Sequence, residues 1–316
     1  MDLRQLRYFL EIVERGSLTR ASETLHVAQP ALSFHLRNME EHLGARLLFR
    51  SASGVRPTEA GELLARRARL ILNEVARTED EICNLEQDPS GQLRIGLPGT
   101  IGDIITLPLI QRLRAHYPRI TLNIAEAMSG FVAHWLVEGR VDLAVLYTRP
   151  QQPGMVAEPL LEEELVVVFP PGTAGRTDMP LAAMADVALV LPSPEHGLRI
   201  MIDAVLQPLA IRPVIALEID SYRNIKRLVA AGYGASILPR HAVAPEVADG
   251  RLQARRISAP GLWRAAWLVH AANRPVTRVQ AVVSGVLRDV VRELLASGEW
   301  AAARVPEVSV GRGAGR

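Results

Sequence analysis

A short polar face in the sequence has the residue types that read nucleic acid. Gln29, Ser33 and Arg37 follow one another at intervals of four, and Phe34 lies beside them, so a helix would display all four on one side. Amide and hydroxyl side chains hydrogen-bond to base edges, and an arginine suits a guanine or a phosphate. Phe34 could pack on a thymine methyl or be buried, and the sequence favours neither. This face predicts a reader of the DNA major groove.

Two short helices joined by a tight corner would position this face. Ser17 can cap the first helix, which is predicted to end near Leu25. The second opens near Gln29, carries Pro30 in its first turn, where a missing N–H is harmless, and ends before Gly44. This layout is that of a helix-turn-helix, although the periodicity alone fits an amphipathic helix pair in a helical core equally well.

The flanking sequence favours the helix-turn-helix. Residues 1–15 are predicted to form a third helix, and residues 47–57 a small hairpin with a glycine-bearing turn and an arginine on each arm. Three helices and a basic hairpin make a winged helix-turn-helix. Thr19 and Arg20, on the first helix of the pair, are suited to contact backbone phosphates. Arg50 and Arg56, on the hairpin, are suited to contact the minor groove or its phosphates. The predicted DNA-binding residues are Thr19, Arg20, Gln29, Pro30, Ser33, Phe34, Arg37, Arg50 and Arg56.

The run from Leu6 to Gly61, which begins LRYFLEIVERGSLTRASETLHVAQPALSFHLRNMEEHLG and ends PTEAG, resembles the LysR-type transcriptional regulators. The resemblance implies a sequence-specific DNA-binding transcriptional regulator controlled by a small-molecule effector. It implies double-stranded promoter or operator DNA as a partner, allows RNA polymerase as another, and allows a homotetramer as well as a homodimer. Phe34 departs from the polar residue often found at that position in the family, which leaves the base preference open.

A long helix is predicted to follow the hairpin. Thr58 can cap it, and no helix breaker occurs before Pro89. Apolar residues recur along it at alternating steps of four and three, which is a heptad seam that must be buried against something. Packing on the helix's own domain is one alternative, and a second copy of the chain is the favoured one. The predicted dimerisation residues are Leu64, Ala68, Ile71, Val75, Ile82 and Leu85.

Beyond residue 91 predicted strands and helices alternate, which is typical of parallel βαβ units. The predicted fold class is α/β and multidomain: an N-terminal winged helix-turn-helix, a long linker helix and a two-lobed C-terminal domain like the periplasmic binding proteins. The predicted domains are residues 1–58 for DNA binding, 59–88 for the linker helix and 91–297 for effector binding. Lobe one comprises 91–162 and 267–297, lobe two comprises 163–266, and 298–316 is expected to be a disordered tail.

The predicted effector site lies where strands end and helices begin, because free backbone N–H groups there attract anions. The family's effector pockets occupy matching loops, and the donors in them suggest a small carboxylate or another anion. Two alternatives stay open: Thr100 and Ser221 could merely cap helices, and Arg199 could pair with a surface acid. The predicted effector-binding residues are Gly99, Thr100, Ile101, Met128, Ser129, His196, Arg199 and Ser221.

The net charge, the single cysteine and the length of the apolar runs bear on the possible chemistry of the protein and on its location in the cell. The net charge is only +2, and the lone cysteine, Cys83, cannot form an internal disulfide or a cysteine-based zinc site. Cys83 could be a redox sensor, but a helical thiol that is at least partly buried is the favoured interpretation. No apolar run long enough for a membrane span occurs, so a cytoplasmic protein is expected.

The sequence also lacks the usual marks of an enzyme. It has no GxSxG or HExxH motif, and its histidines are scattered, so no catalytic residue, metal site or cofactor other than the effector is expected. The rival interpretation is a soluble ligand-binding or enzymatic α/β domain with a helical dimerisation arm. Binding to promoter DNA would separate the two.

Overall fold

A computed structural model of the chain describes residues 1–51, 54–83, 88–175, 178–258 and 260–306. The chain divides into two compact units. The first comprises Met1–Ser90 and Val137–Arg140, and the second comprises Gly91–Leu136 and Val141–Arg316. Each unit is described by itself.

The first unit contains the predicted winged helix-turn-helix. Ser17 accepts a hydrogen bond from the Arg20 N–H and caps the second helix, while His26 turns the corner with a left-handed φ of 54°. Gly44 ends the third helix, also in the left-handed region. The elements in chain order are α1 (Leu3–Arg15), α2 (Leu18–Leu25), α3 (Gln29–Leu43), β1 (Leu48–Ser51), β2 (Gly54–Pro57) and α4 (Glu59–Cys83).

The linker helix α4 takes part in the core of the first unit. Thr58 accepts a hydrogen bond from the Gly61 N–H at 3.1 Å, as expected of a helix cap. The first half of the helix contributes apolar residues to the same cluster as Phe9 and Leu36, namely Ala60, Leu64, Ala65, Ala68 and Leu72. This half is therefore part of the winged domain.

The second unit alternates strands and helices as predicted. Its strands are β3 (Gly91–Leu97), β4 (Ile120–Glu126), β5 (Leu143–Leu146), β6 (Met155–Phe169), β7 (Asp178–Met179), β8 (Ala188–Leu191), β9 (Val214–Glu218), β10 (Ser236–Pro239), β11 (Gln253–Ile257), β12 (Leu262–Ala271) and β13 (Ala303–Arg304). Its α-helices are α5 (Gly99–His116), α6 (Ser129–Glu138), α7 (Gly197–Leu206), α8 (Tyr222–Ala230), α9 (Arg240–Ala248) and α10 (Arg278–Ser297), with 3₁₀ turns at Leu181–Asp186 and Gln207–Leu209.

Two long antiparallel strands join the halves of the second unit. β6 and β12 pair from Leu165 with Leu262 to Met155 with Ala271. At one end they extend a sheet in which β4, β3 and β5 run parallel. At the other end β6 pairs with β10 and β11. The predicted lobe boundaries, at 162/163 and 266/267, lie within these two strands.

Each half has its own apolar core. One cluster draws on residues from Leu93 to Leu161 and from Ala266 onward, and the other on residues from Leu165 to Leu262. Lobe two is thus inserted into the sequence of lobe one. The chain passes from one cluster to the other between Leu161 and Leu165, and back again between Leu262 and Ala266.

The prediction of a disordered tail from residue 298 is wrong for residues 298–306. The Trp300 side chain is buried in the lobe-one core, and β13 pairs with β6 at Glu162 and Glu163. Arg304 stacks on the Trp263 ring at 4.1 Å. The prediction rested on the small and glycine residues of this segment and overlooked Trp300. Burial of this large aromatic side chain orders the segment. Residues 307–316 lie outside the described part of the chain.

Candidate DNA-reading helix and effector cavity

The predicted reading face of α3 is directed away from the protein. Leu32, Leu36 and Met39 are buried on the opposite side, which fixes the rotation of the helix. Gln29 and Arg37 are exposed, and Ser33 is half-buried. Three buried apolar contacts therefore hold the polar face outward, as a reading helix requires.

Phe34 is 58% exposed, so the alternative that it is buried is wrong. Its ring forms an edge-type contact with His35, with ring centroids 6.2 Å apart. A large aromatic ring exposed on the reading face is available to contact a thymine methyl. Pro30, which is also exposed, lies in the first turn of the same helix.

The remaining predicted DNA contacts are also exposed. Thr19 and Arg20 lie at the start of α2, and Arg50 and Arg56 lie on β1 and β2 of the hairpin. Phe49 pairs with Arg56 across the hairpin and is exposed as well, which sequence reasoning missed. Leu48 is the one buried residue of β1 and the three residues after it are all exposed, so the strand carries no alternation that would have pointed to Phe49.

The hairpin is tied to the end of α1. The Val55 N–H donates to the Gly16 carbonyl oxygen at 3.0 Å. Gly54 has a φ of 124°, and a Cβ there would lie 2.5 Å from the same carbonyl. Glycine is thus required at Gly54 for this close approach, which sets the position of the wing arginines.

The dimerisation seam needs a correction in its first half. Ala68 is 0% exposed inside its own domain and is not available to a partner, and Leu64 packs partly against the same cluster. Ile71 and Ile82 are 41% and 64% exposed, and Val75 between them is half-buried. Leu85 lies outside the described residues. The seam that remains open begins at Ile71.

A cavity of about 360 Å³ lies between the lobes of the second unit. The carboxyl ends of the parallel strands β3, β4 and β5 form one wall, as expected for ligand sites in open α/β sheets. The start of α7 and the loop before α8 form the other. The lining residues are Pro98, Gly99, Glu126, Ala127, Met128, Ser129, Tyr147, His196, Gly197, Leu198, Asp220, Tyr222 and Arg264.

Four of the predicted effector residues line this cavity, namely Gly99, Met128, Ser129 and His196. Thr100 is buried behind it, where its hydroxyl shares a 2.7 Å hydrogen bond with the Tyr147 hydroxyl. The side chain of Ile101 belongs to the lobe-one core, so its assignment to the effector site is wrong for this cavity.

Arg199 and Ser221 also fall outside the cavity lining. Arg199 forms ion pairs with Asp203 and Glu218, each at 2.9 Å, so the alternative of pairing with acids is the observed one. The Ser221 hydroxyl accepts from the Asn224 N–H and caps α8. Arg199 was mispredicted because its acidic partners, one helical turn away and on a neighbouring strand, already satisfy its charge.

Sequence reasoning missed the cation that does line the cavity, Arg264. It lies on β12 between Leu262 and Ala266, whose side chains are also buried, and it is 3% exposed. A charged residue at an inward position of an alternating strand was the available signal. Tyr147, directly after β5, was also missed, and its ring lies 3.4 Å from the Arg264 guanidinium carbon.

Arg264 belongs to a buried ionic network. Its Nε donates to Glu163 Oε1 at 2.9 Å, and its Nη2 also bonds that carboxylate. The other carboxylate oxygen lies 3.2 Å from His241 Nδ1, while His241 Nε2 lies 3.0 Å from the Thr100 carbonyl oxygen. Burial alone would raise the pKa of Glu163, but Arg264 and His241 outweigh it and lower the pKa to about 2. The network connects the cavity to both lobes.

Asp220 and His196 set the charge at the lobe-two wall. The Ser193 N–H and hydroxyl both donate to Asp220 at 2.9 Å and lower the pKa of this carboxyl. Burial lowers the pKa of His196, whose Nδ1 accepts from the Leu198 N–H at 3.1 Å. At neutral pH the wall therefore presents a carboxylate and an uncharged imidazole.

The described ranges offer neither a metal site nor a membrane-spanning helix. No group of three or more histidine, cysteine, aspartate or glutamate side chains there is arranged to hold a metal ion. None of the helices there has both the length and the apolar composition needed to span a bilayer.

Comparison with known proteins assigns both units. Residues 3–62 match the family described as bacterial regulatory helix-turn-helix protein, lysR family, and residues 86–292 match the LysR substrate binding domain. The nitrogen assimilation regulatory protein nac of Klebsiella aerogenes is 36% identical over 263 residues, which are 83% of this chain and 86% of that protein. The DNA-binding transcriptional dual regulator OxyR of Escherichia coli K12 is 29% identical over 248 residues, 78% of this chain and 81% of OxyR.

The solved structures include a similar chain. A full-length OxyR from Pseudomonas aeruginosa with a cysteine-to-aspartate substitution superposes with a TM-score of 0.74 at 26% identity, covering 92% of this chain and 95% of that one. The predicted fold class, with an N-terminal helix-turn-helix domain and a C-terminal substrate-binding domain, is confirmed.

Proposed function

The chain belongs to the LysR family of transcriptional regulators, and from this premise we propose how its own residues divide the work of DNA reading, assembly and effector sensing. As a family member it is a DNA-binding regulator with an effector-binding domain. In the proposal α3 enters the major groove of an operator through Gln29, Ser33, Phe34 and Arg37. Thr19, Arg20, Arg50 and Arg56 contact the flanking backbone and minor groove.

One observation carries the DNA-reading assignment. The polar side of α3 is exposed, while its apolar side is buried against the rest of the winged domain. If the two helices served only to build a helical core, there would be no reason for Phe34 and Arg37 to be exposed side by side. The rival interpretation, a ligand-binding or enzymatic domain with a helical arm, leaves this face without a role.

Assembly is proposed through the open part of the α4 seam. Ile71 and Ile82 are exposed apolar side chains on one side of a long helix, and a second copy of the chain would bury them. The proposed unit is a homodimer, with a homotetramer as its further assembly. It acts on the chromosome in the cytoplasm, contacts RNA polymerase, and requires no enzymatic activity or cofactor besides its effector.

Effector sensing is proposed at the inter-lobe cavity. Helices α5, α6 and α7 all begin there, at Gly99, Ser129 and Gly197, so their N-terminal N–H groups favour a negatively charged group. Arg264 supplies the cation that the sequence assigned to Arg199. A bound effector would bridge the lobes, and the change in their closure would pass to the DNA-binding domains.

The test is a fluorescence-anisotropy titration of the purified full chain with labelled duplex from the promoter upstream of its own gene. A scrambled duplex at the same ionic strength is the control, since phosphate contacts alone depend strongly on salt. Specific binding should be at least about a thousandfold tighter than binding to the scrambled duplex. Equal affinity for both duplexes would refute the proposal and favour the rival interpretation.

A further inference from the structure

The charged groups that line the inter-lobe cavity do not match a simple anion. Glu126 and Asp220 are carboxylates on opposite walls, and Arg264 is the only cation among the lining residues. Directly behind Arg264 lies Glu163, which already neutralises it. An effector with only negative charge would add to this excess of acid at close range.

The acidic side chains are exposed and available. No described cation forms an ion pair with Glu126, and Asp220 receives hydrogen bonds only from the uncharged Ser193. Glu126 is held at the cavity edge against α5, where a Cβ on Gly102 would lie 2.3 Å from its Oε1. Two positioned carboxylates without a counterion favour a cationic group on the ligand.

The Arg264 guanidinium, which lines the same cavity, offers a contact for a negative group. The Nη1 group of Arg264 is buried, and no described residue forms a well-aligned hydrogen bond with it, although the Tyr222 phenol stabilises the guanidinium. A buried and unsatisfied N–H group is costly, so a ligand acceptor is expected there. The N-termini of α5, α6 and α7 reinforce the same preference.

We propose that the effector is a small zwitterion of the α-amino-acid type, with its carboxylate toward Arg264 and its ammonium toward Asp220 and Glu126. This inference rests on the proposed function of the cavity as the effector site. The volume of about 360 Å³ is near the lower end of the usual range for ligand pockets, which is about 300–1,000 Å³, and suits a ligand of this size.

The test is a binding screen on the full-length protein by thermal shift, followed by isothermal titration calorimetry. The standard L-amino acids are screened first, and each one that binds is compared with its desamino and decarboxylated analogues. For L-valine these probes are isovalerate and isobutylamine. Losing either charged group should weaken binding by about ten- to a hundredfold, the usual effect of a charge-assisted hydrogen bond.

Two variants locate the ammonium site. Asp220→Asn and Glu126→Gln keep the side-chain shape and should each weaken amino-acid binding about tenfold, while leaving the desamino analogue unaffected. Glu195→Gln is the matched control, because Glu195 is an exposed acid next to His196 that does not line the cavity.

Each contrary result has a distinct meaning. If the desamino analogue binds as tightly as the amino acid, the ligand is a plain anion and the zwitterion is refuted. If the amine analogue binds equally, the carboxylate end is refuted. If no amino acid binds while specific promoter binding persists, this inference fails and the proposed DNA-reading function stands.

Discussion

The indole Nε1–H of Trp300 donates a hydrogen bond to Oε2 of Glu163, 3.3 Å away. Trp300 is 1% exposed and packs beside His241, so a residue near the end of the described chain completes the shell around a buried carboxylate on the crossing strand β6. The same carboxylate holds Arg264 at the cavity. The C-terminal segment is therefore part of the support for the inter-lobe cavity.

Replacing Trp300 should destabilise the second unit. In Trp300→Phe the hydrogen bond to Glu163 is lost and a cavity forms in the lobe-one core, so the free energy of unfolding should fall by about 1–3 kcal/mol. Urea unfolding followed by far-UV circular dichroism measures this. Trp263→Phe, at a partly exposed ring, is the matched control and should change stability less. Equal effects would contradict the role given to Trp300.

Acid should weaken the second unit through Glu163. Its pKa is about 2 in the folded protein against 4.5 ordinarily, so the stabilisation is present above pH 4.5 and is lost as the pH falls toward 2. The loss is on the order of 3 kcal/mol. Urea midpoints measured across this range should fall steeply for the parent chain and less steeply for Glu163→Gln. The pKa of Glu293 is also lowered, by its hydrogen bond with Arg112, but this pair is exposed and screened by solvent, so Glu293→Gln should change the slope less than Glu163→Gln does.

Removing a cation from the reading face should weaken operator binding without unfolding the protein. Arg37→Ala or Arg56→Ala should cost about 1–3 kcal/mol of binding free energy, because each removes a contact to a base or a phosphate. Anisotropy titrations at fixed salt measure the loss, and circular dichroism checks the fold. Arg15→Ala removes an equal charge that is paired with Glu11, and unchanged affinity is expected for it. If all three variants bound the operator with the same affinity, Arg37 and Arg56 would not be DNA contacts.

Charges placed in the open seam should dissociate the assembly. Ile71→Asp and Ile82→Asp together should give monomers by multi-angle light scattering, since two buried carboxylates would face each other across the dimer. Both side chains are exposed in the single chain, so its own fold should persist. Glu79→Gln, an exposed change on the same helix, should leave the oligomer intact. A persistent oligomer in the double variant would show that the seam is not the interface.

The winged domain could be predicted closely because its signals are local. Caps such as Ser17 and Gly44 and the buried series Leu32, Leu36 and Met39 lie within one or two helical turns of the residues they position. Local signals could not predict that Ala68 is buried in its own domain. A heptad pattern shows which side of a helix is buried, but it does not show whether its own domain or a second copy covers that side.

The cavity was less predictable because its residues meet through long-range pairing. Tyr147 and Arg264 are far apart in sequence and come together because β12 pairs with β5 and β6. The rule that ligands bind at strand ends found Gly99, Met128 and Ser129, and it would have found Tyr147 if applied to the third strand. No local rule distinguishes Arg199, satisfied by neighbouring acids, from Arg264, directed into the cavity.

Because the sequence of lobe two is inserted into that of lobe one, the two apolar cores can form at different times during translation. All apolar residues of the second core lie between Leu165 and Leu262, so that core can close while the ribosome is still elongating the chain. The first core needs α10 and Trp300, which emerge from the ribosome after all residues of the second core. Half of the sensor therefore leaves the exit tunnel with an open apolar surface, and a nascent chain stalled before α10 would be a substrate for chaperones or proteases.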